Sequence, residues 1–354
     1  MAEKEQKIPV AVLGATGLVG QRLVTLLVEH PWFEIAEVAA SERSAGKPYE
    51  QAVRWRLPGP PPGRVASMTV LPAHPDHVAS KVVFSALDAR AAESAEALFA
   101  QAGRAVISNA RTHRMAAPVP LLIPEVNPSH LALLDNPSGG RREGGFIVTN
   151  PNCSTIALTL ALAPFAQHCG IEEVVVTTLQ AISGAGYPGV AALDMVDNVV
   201  PWISGEEEKI QREPLKILGR LQAGRIEPAA MRISAQVHRV PVCDGHLLTV
   251  HLRPGRDLSP EQATALIAGF QGEPQRRRLP SAPARPLEIV HGRDRPQPRL
   301  DRDAGAGMSV TVGQIRRCSV LGLKMEILGH NTVRGAAGGT LLIAELLADR
   351  GLLP

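Results

Sequence analysis

A glycine-rich string near the start of the chain constrains the fold most. Gly14-Ala15-Thr16-Gly17-Leu18-Val19-Gly20 lies between a run of buried-type residues, 8–13, and apolar residues at helical spacing, 18–28. The first run predicts a strand buried on both faces, and the second predicts a helix. Glycines at such a strand-turn-helix junction let a pyrophosphate approach the backbone, and the helix start attracts its charge. We therefore interpret this G-x-x-G-x-x-G string as a dinucleotide-binding turn.

Strand-like and helix-like segments continue to alternate up to about residue 108. Segments 34–40, 81–87 and 105–108 predict strands, and the alanine-rich segment 88–101 predicts a helix. Strands that alternate with helices form a parallel sheet. We therefore expect an α/β fold whose N-terminal part is a Rossmann-type domain.

The pattern changes after residue 150, where long β-rich runs predominate. They comprise residues 171–180, 231–240, 246–252, 308–315 and 319–328. Asp244-Gly245 is typical of a hairpin turn, so we predict that the second and third of these runs pair directly. The sequence thus predicts a second, α+β domain built on a mixed sheet. The last segment, 332–348, has a helical pattern again.

Composition argues against several classes of protein. The 354 residues suggest about two domains, and 45% of them are hydrophobic, which is enough for sizeable cores. The 37 basic and 34 acidic residues leave a net charge of +3 spread along the chain, so nucleic acid is not an expected partner. No apolar run approaches the roughly 18 residues of a membrane helix. The chain start lacks a secretory pattern, so we expect a cytoplasmic protein.

The four cysteines, Cys153, Cys169, Cys243 and Cys318, are widely spaced, which argues against a metal site or a disulfide scaffold. Cys153 lies in the polar turn Thr149-Asn150-Pro151-Asn152-Cys153-Ser154-Thr155, directly before the apolar helical segment 156–166. The positive end of a helix lowers a thiol pKa from about 8.5 and favours the thiolate. Cys153 is therefore the candidate nucleophile, whereas Cys169 and Cys318 are interpreted as small buried hydrophobic residues.

The residues after the second predicted strand indicate which dinucleotide binds. An NAD site usually carries a carboxylate at this point, whereas this chain has Ser41, Arg43, Ser44 and Lys47 around Glu42. Hydroxyl groups and cations suit a 2′-phosphate, so the sequence favours NADP. Glu42 leaves NAD open as the alternative.

Two further motifs place polar side chains at strand ends. Gln180 ends a predicted strand before a glycine-rich turn, where its amide can orient a carbonyl group. Arg239 and His246 flank the predicted hairpin turn. Arginine binds a carboxylate with two parallel bonds, and histidine transfers protons near neutral pH. The acidic run Glu206-Glu207-Glu208 is by itself typical of a helix start.

Taken together, these motifs resemble one family. GATGLVG, SERSAGK, SNARTHRM, TNPNCST, TLQAISGAGYPG, GEEEK, RVPVCDGH and HNTVRGAAGG follow the order typical of aspartate-semialdehyde dehydrogenases of the archaeal and fungal branch, from residue 8 to about residue 348. The resemblance implies NADPH-dependent reduction of β-aspartyl phosphate to aspartate β-semialdehyde and phosphate, through an acyl-thioester on the cysteine. This reaction is an early step toward lysine, threonine and methionine.

The resemblance also implies a role for each site residue. Cys153 is the nucleophile, His246 the acid–base group and Gln180 the residue that positions the acyl group. Arg239 binds the substrate carboxylate, Arg114 and Lys209 the phosphate, and Glu206 the amino group, although Glu213 and Lys216 repeat the same spacing and leave that pair open. The implied cofactor positions are Gly14, Thr16, Gly17, Leu18, Val19, Ser41, Arg43, Ser44, Asn109, Ser183, Gly184 and Asn331.

By the same resemblance, residues 1–150 form the NADP-binding domain, which the C-terminal segment 331–354 closes. Residues 151–330 form the catalytic and dimerisation domain of a homodimer or homotetramer.

Three rivals stay open. N-acetyl-glutamyl-phosphate reductases usually read N-P-G-C-Y where this chain has Asn152 and Ser154. A malonyl-CoA reductase would keep Cys153 and His246. A non-catalytic nucleotide-binding paralogue would be expected to lose at least one site residue.

Overall fold

The structure, a computed structural model, describes residues 6–135 and 144–354. Residues 1–5, part of the N-terminal stretch that lacks a secretory pattern, lie outside this range. The first sheet consists of β1 (Ile8–Leu13), β2 (Phe33–Ala40), β3 (Val70–Pro72), β4 (Val82–Ser85), β5 (Ala105–Ser108) and β6 (Phe146–Thr149). Its helices are α1 (Leu18–Leu27), α2 (Tyr49–Ala52), α3 (Gly63–Ala66) and α4 (Ala89–Gln101), with a 3-10 segment at Pro128–Asp135.

The strands of this sheet lie in the order β3-β2-β1-β4-β5-β6, and all five pairings are parallel. Residues 10–13 of β1 and every residue of β4 and β5 are buried, because the sheet is covered on both faces. The strand order reverses between β1 and β4, so a crevice opens beyond their carboxyl ends. The predicted Rossmann-type sheet is confirmed.

The second sheet is mixed, as predicted. Its strands are β7 (Ile171–Gln180), β10 (Arg232–Arg239), β11 (His246–Pro254), β12 (Leu287–Ile289), β13 (Val310–Cys318) and β14 (Gly322–Gly329), while β8 (Arg220–Gln222) and β9 (Arg225–Glu227) form a separate hairpin. The helices are α5 (Cys153–His168), α6 (Ala192–Met195), α7 (Glu206–Ile217), α8 (Pro260–Ala268), α9 (Glu273–Arg277), α10 (Pro298–Asp301) and α11 (Gly338–Asp349). A 3-10 turn spans Ile182–Ala185, and a π-helical turn, Val333–Ala337, precedes α11.

The predicted hairpin between β10 and β11 is wrong. Both strands pair with β7, β10 in parallel and β11 antiparallel, so β7 lies between them. The carbonyls of Val242 and Cys243 accept hydrogen bonds from the backbone of Ile182 and Ser183, at 2.8 and 3.2 Å. Because the turn bonds to the segment that follows β7, the connection that contains Gly245 passes over the end of β7 and links β10 to β11 on its other side. It is therefore not a tight hairpin turn.

Helices α5 and α11 belong to different cores. Residues 154–165 of α5 are all buried, and the apolar ones pack in the core of the second sheet. Residues 338–347 of α11 are buried as well, and its apolar side chains pack with those of β1, β4 and β5. The last helix therefore completes the core of the first sheet, although it follows the second sheet in the sequence.

Within residues 6–135 and 144–354, no helix is long and apolar enough to cross a membrane. The same part of the chain has no group of three or more His, Cys, Asp or Glu that could hold a metal ion.

The interpretation of Cys169 and Cys318 as buried is wrong, because both lie at the ends of elements and are partly exposed. The Cys318 thiolate is favoured by hydrogen bonds from the Leu321 backbone N–H and from His251, whose Nδ1 lies 3.4 Å from the sulfur. These contacts lower the pKa of the thiol to about 7.

Candidate active site

Three predicted site residues lie together at one end of the second sheet. In the sheet register, Arg239 at the end of β10 is opposite Gln180 at the end of β7, and His246 is the first residue of β11. All three side chains are buried. Gln180 Nε2 lies 3.3 Å from Thr178 Oγ1 and 3.4 Å from Glu206 Oε2, and Arg239 Nη1 donates to the Ala181 carbonyl at 2.8 Å.

Cys153 lies at a helix start, as predicted, but α5 begins at Cys153 itself, three residues earlier than the predicted segment 156–166. Asn152 caps the helix, because its side-chain oxygen accepts from the backbone N–H groups of Ser154 and Thr155 at 3.0 and 3.2 Å. The Asn152 amide nitrogen donates to Glu206 Oε2 at 2.9 Å. The cap residue therefore joins the start of α5 to the start of α7.

The predicted lowering of the Cys153 pKa is wrong. Burial raises the pKa of this thiol to about 12, and the Glu206 carboxylate acts in the same direction. Arg114, the Ser154 N–H and Lys209 act in the opposite direction but are outweighed. The helix start favours the thiolate, yet the cost of removing a charge from water exceeds that contribution.

His246 is neutral, and its tautomer is fixed. Its Nδ1 accepts a hydrogen bond from the Ala181 N–H at 3.0 Å, so the ring proton lies on Nε2. Burial lowers the pKa of the ring to about 3, and the nearby Arg239 adds to this effect. Nε2 is buried and has no hydrogen-bond partner in the described part of the chain. His246 can therefore donate from Nε2 to a bound molecule.

The structure separates the two Glu/Lys pairs that the sequence left open. Glu206 and Lys209 line a cavity together with Cys153, and their side chains form an ion pair. Burial by itself would raise the pKa of the Glu206 carboxyl, but Lys209 and hydrogen bonds from Asn152 and Gln180 outweigh it and hold the pKa below its ordinary value. Glu206 is thus a buried carboxylate that faces the cavity.

Glu213 and Lys216, in contrast, bond to the protein itself. Lys216 Nζ donates to the carbonyls of Arg114, Ala116 and Val119 at 2.7 to 2.8 Å. Glu213 Oε1 lies 3.0 Å from Arg114 Nη1, and its Oε2 accepts from the Asn152 backbone N–H at 2.7 Å. Glu213 therefore holds Arg114 beside the turn that carries the cysteine.

Two cavities adjoin at the junction of the sheets. The smaller, of about 370 Å³, contains Cys153, and the larger, of about 710 Å³, follows the glycine string. Of the predicted cofactor positions, Gly14, Thr16, Gly17 and Ser41 line the larger cavity, Asn109, Ser183, Gly184 and Asn331 line the smaller one, and Leu18 and Val19 line both. Arg43 and Ser44 line neither, and Arg43 is exposed in the turn after β2. Arg114 lines the smaller cavity.

The glycine string fits a dinucleotide. A Cβ on Gly14 would lie 2.5 Å from the Ala86 carbonyl oxygen, and one on Gly20 would lie 2.2 Å from the Gly14 oxygen. Larger residues would break the turn and displace α1 from β4. These two glycines therefore let the turn pack closely against Ala86 and α1, and the larger cavity, which Gly14 and Gly17 line, lies in front of the N-terminus of α1, where a pyrophosphate is expected at a switch point.

Sequence reasoning missed several residues of the site. Asn152 is one, although its place before a helix start is a capping signal. Gly335 is another, since a Cβ there would lie 2.6 Å from the Cβ of Cys153. Arg54 and Tyr187 line the larger cavity, and no local pattern connects them.

Family models match both parts of this arrangement. One described as the NAD-binding domain of semialdehyde dehydrogenase matches residues 9–134, and one described as the dimerisation domain of the same family matches residues 162–334. The chain therefore belongs to the semialdehyde dehydrogenase family.

Relatives narrow this assignment. The aspartate-semialdehyde dehydrogenase of Archaeoglobus fulgidus is 49% identical over 344 residues, which cover 97% of this chain and 99% of the relative. The enzyme of the same name from Candida albicans is 43% identical over 358 residues and covers 97% of this chain and 98% of the relative. The chain belongs to the aspartate-semialdehyde dehydrogenase family, and the resemblance seen in the motifs is confirmed.

Solved structures agree with the fold. The Candida albicans aspartate semialdehyde dehydrogenase with NADP superposes with a TM-score of 0.91 at 41% identity, covering 98% of this chain and 100% of that one. The Vibrio cholerae aspartate semialdehyde dehydrogenase II complexed with ASA gives a TM-score of 0.76 at 27% identity, with 98% and 99% covered.

Proposed function

We propose that this chain is an NADP-dependent aspartate-semialdehyde dehydrogenase that reduces β-aspartyl phosphate to aspartate β-semialdehyde and phosphate. The observation that carries the proposal is Cys153, which shares a cavity with Arg114, Glu206 and Lys209 next to the glycine-lined crevice. The nucleophile, the charges that suit the substrate and the cofactor crevice thus lie in one place.

Charge complementarity favours the aspartyl substrate over its rivals. The substrate carries a carboxylate, an ammonium group and a phosphate, which suit Arg239, Glu206 and the pair Arg114 and Lys209. Arg114 Nε has no hydrogen-bond partner among the described residues and is free to donate. A malonyl group has no ammonium, and an N-acetylated amino group carries no charge, so either substrate leaves the buried Glu206 carboxylate without a cation from the substrate.

In the first step, the Cys153 sulfur bonds to the acyl carbon and the bond to the phosphate breaks. The departing phosphate takes up the proton that the thiol loses. The acyl group then remains bound to Cys153 as a thioester. Gln180 and the Nε2–H of His246 are the donors suited to the acyl oxygen, where negative charge develops. Because Nε2 carries the ring proton, His246 serves as a donor in this step rather than as a base.

In the second step, NADPH bound along the glycine string supplies a hydride, and the acyl carbon becomes a thiohemiacetal on Cys153. The oxygen of this adduct takes up one proton from solvent, which is the proton that the overall reduction consumes, while the Nε2–H of His246 donates a hydrogen bond to it. When the adduct collapses, the proton on that oxygen moves to the sulfur and the aldehyde leaves. Because Nε2 already carries the ring proton, His246 can stabilise this transfer as a hydrogen-bond donor but does not itself accept the proton.

A paired assay tests the proposal. NADPH oxidation is followed with β-aspartyl phosphate, N-acetyl-glutamyl phosphate and malonyl-CoA, and then with NADH in place of NADPH. Turnover with the aspartyl substrate and NADPH is the expected result, and C153A should abolish it while NADPH binding is unchanged. C169A is the matched control, because Cys169 lies at the opposite end of α5 and should keep wild-type activity. Preferential turnover of another acyl donor, or activity in C153A, contradicts the proposal.

The proposal includes the domain organisation and the compartment. Residues 1–150 with 331–354 would form the NADP-binding domain, and residues 151–330 would form the catalytic and dimerisation domain. The packing of α11 against β1, β4 and β5 supports this division. A cytoplasmic location stays a prediction, testable by fractionation.

The proposal also includes a homodimer formed through the uncovered face of the second sheet. Val175 on β7 is 44% exposed, and Leu193 and Trp202 are 92% and 64% exposed in a segment that Val200 joins to β10 through two backbone hydrogen bonds with Arg239. V175R should therefore shift the molecular mass measured by light scattering to that of the monomer. V320R is the control, because Val320 is equally apolar and 73% exposed but lies in the turn after β13.

A further inference from the structure

Two arginines beside the larger cavity have no assigned role. Arg54 and Arg56 follow α2, both are exposed, and neither forms an ion pair with a carboxylate in the described part of the chain. Both contact the same side chain, Tyr187. Two neighbouring guanidinium groups without counter-ions are suited to bind an oxyanion.

Gln21 fixes these arginines to the glycine string. Its buried side chain donates from Nε2 to the carbonyls of Thr16 and Arg54, at 2.9 and 3.0 Å, and accepts at Oε1 from the Arg56 N–H at 2.8 Å. Thr16 is part of the turn that is suited to bind pyrophosphate. A single amide nitrogen, Gln21 Nε2, thus bridges the Arg54 main chain to that turn. The Arg54 side chain lines the larger cavity.

Tyr187, which contacts both arginines, lies in the segment that follows β7 of the second sheet. Arg54 Nη1 donates to the phenol oxygen at 3.2 Å, and the Arg56 guanidinium lies 4.3 Å from the ring centre in a cation–π contact. The hydrogen bond from Arg54 and the charge of Arg56 lower the pKa of the phenol. A phosphate is a stronger acceptor for a guanidinium than a neutral phenol, so Arg54 gains by moving to a phosphate.

The geometry points to Arg54 as a phosphate-binding residue for the cofactor, with Tyr187 and Arg56 as positioning residues that hold it across the crevice. This inference rests on the proposed function, since it takes NADP as the ligand. The shared chemistry is a phosphate oxyanion, which belongs either to the diphosphate or to the 2′-phosphate.

Equilibrium titration of the free enzyme with NADPH and with NADH tests the inference without the need for turnover. R54Q should weaken NADPH binding by about tenfold to a hundredfold, the effect of losing one charge-assisted hydrogen bond. An equal loss for NADH assigns the contact to the diphosphate, and a loss for NADPH alone assigns it to the 2′-phosphate. R64Q is the matched control, because Arg64 is exposed and pairs with Glu34 near the amino end of β2, away from the crevice.

Two more variants separate binding from structure. R54K keeps the charge and should recover much of the affinity, and Y187F should weaken binding by about threefold while kcat at saturating NADPH is unchanged. The inference is overturned if R54Q binds both cofactors with the wild-type Kd. It is also overturned if R54K binds NADPH as weakly as R54Q does. If the wild-type enzyme fails to reduce aspartyl phosphate but R54Q still loses affinity for NADPH, the proposed function fails and the phosphate contact stands.

Discussion

The buried ion pair between Arg334 and Glu125 should contribute far more to the free energy of unfolding than the exposed pair between Arg212 and Glu208. Arg334 Nη1 and Nη2 donate to the two carboxylate oxygens of Glu125 at 2.8 and 2.7 Å, and the two side chains are 2% and 0% exposed. In E125Q the amide keeps the size of the side chain but loses the charge and turns one acceptor into a donor. Loss of one partner of a buried pair costs about 3 to 5 kcal/mol, because the other charge stays desolvated.

This energy converts into a melting shift. Unfolding entropy of about 2.1 cal/mol/K per residue gives roughly 0.7 kcal/mol/K for a chain of this length, so E125Q should lower the Tm by roughly 4 to 7 °C. E208Q makes the same chemical change in the pair between Glu208 and Arg212, whose side chains are 67% and 59% exposed. That change should cost only about 0.3 to 0.5 kcal/mol and leave the Tm within about 1 °C.

Calorimetry on the three proteins at one pH and one concentration checks the prediction. The double variant E125L/R334M, which replaces the pair with apolar side chains of similar length, should regain most of the stability lost in E125Q. Equal Tm values for E125Q and E208Q would refute the reasoning that desolvation, rather than pairing itself, sets the magnitude.

Three other predictions follow from the site. G335A should lower kcat by about a hundredfold with little change in NADPH affinity, since its Cβ would fall 2.6 Å from that of Cys153 and displace the nucleophile; a wild-type kcat contradicts this. E213Q, which removes the charge that holds Arg114, should raise the KM for phosphate in the reverse reaction by about tenfold, an idea that an unchanged KM rejects. In the ligand-free enzyme, iodoacetamide should label Cys318 before Cys153 at pH 8, because the thiolate is the reactive form and their pKa values are about 7 and about 12. Mass spectrometry of the labelled peptides checks this order, with C318S as control.

Local signals were sufficient for most of the longer elements, but not for the short ones or for all of the strand pairings. The first strand and the glycine string were predictable because backbone conformation and apolar periodicity act over a few residues. The neighbours of β10 and β11 were not, since Asp244-Gly245 has the composition of a hairpin turn and the partner strand, β7, lies more than fifty residues earlier. The Pro- and Arg-rich stretch 280–302 has no periodicity at all, yet it contains β12 and α10.

The chemistry of the site shows the same limit. Glu206 and Glu213 are seven residues apart on one helix, so they share a face and no spacing rule separates them. Which carboxylate faces the cavity depends on where the neighbouring residues cover α7. Glu206, at the start of the helix, lines the cavity, whereas Glu213, two turns later, bonds to Arg114 and to the Asn152 backbone. The pKa of Cys153 likewise depends mainly on its burial, and a sequence pattern that predicts a helix start does not predict how deeply the first residue is buried.

The position of α11 has a consequence for how the protein is made. The first sheet precedes the second in the sequence, but ten consecutive buried residues of α11, 338–347, follow the second sheet and complete the core of the first. During translation the second sheet can be complete while the first still exposes the apolar surface that this helix covers. A nascent chain arrested just before residue 338 should therefore recruit chaperones through its N-terminal half and gain protease resistance there only once residues 338–347 have been added.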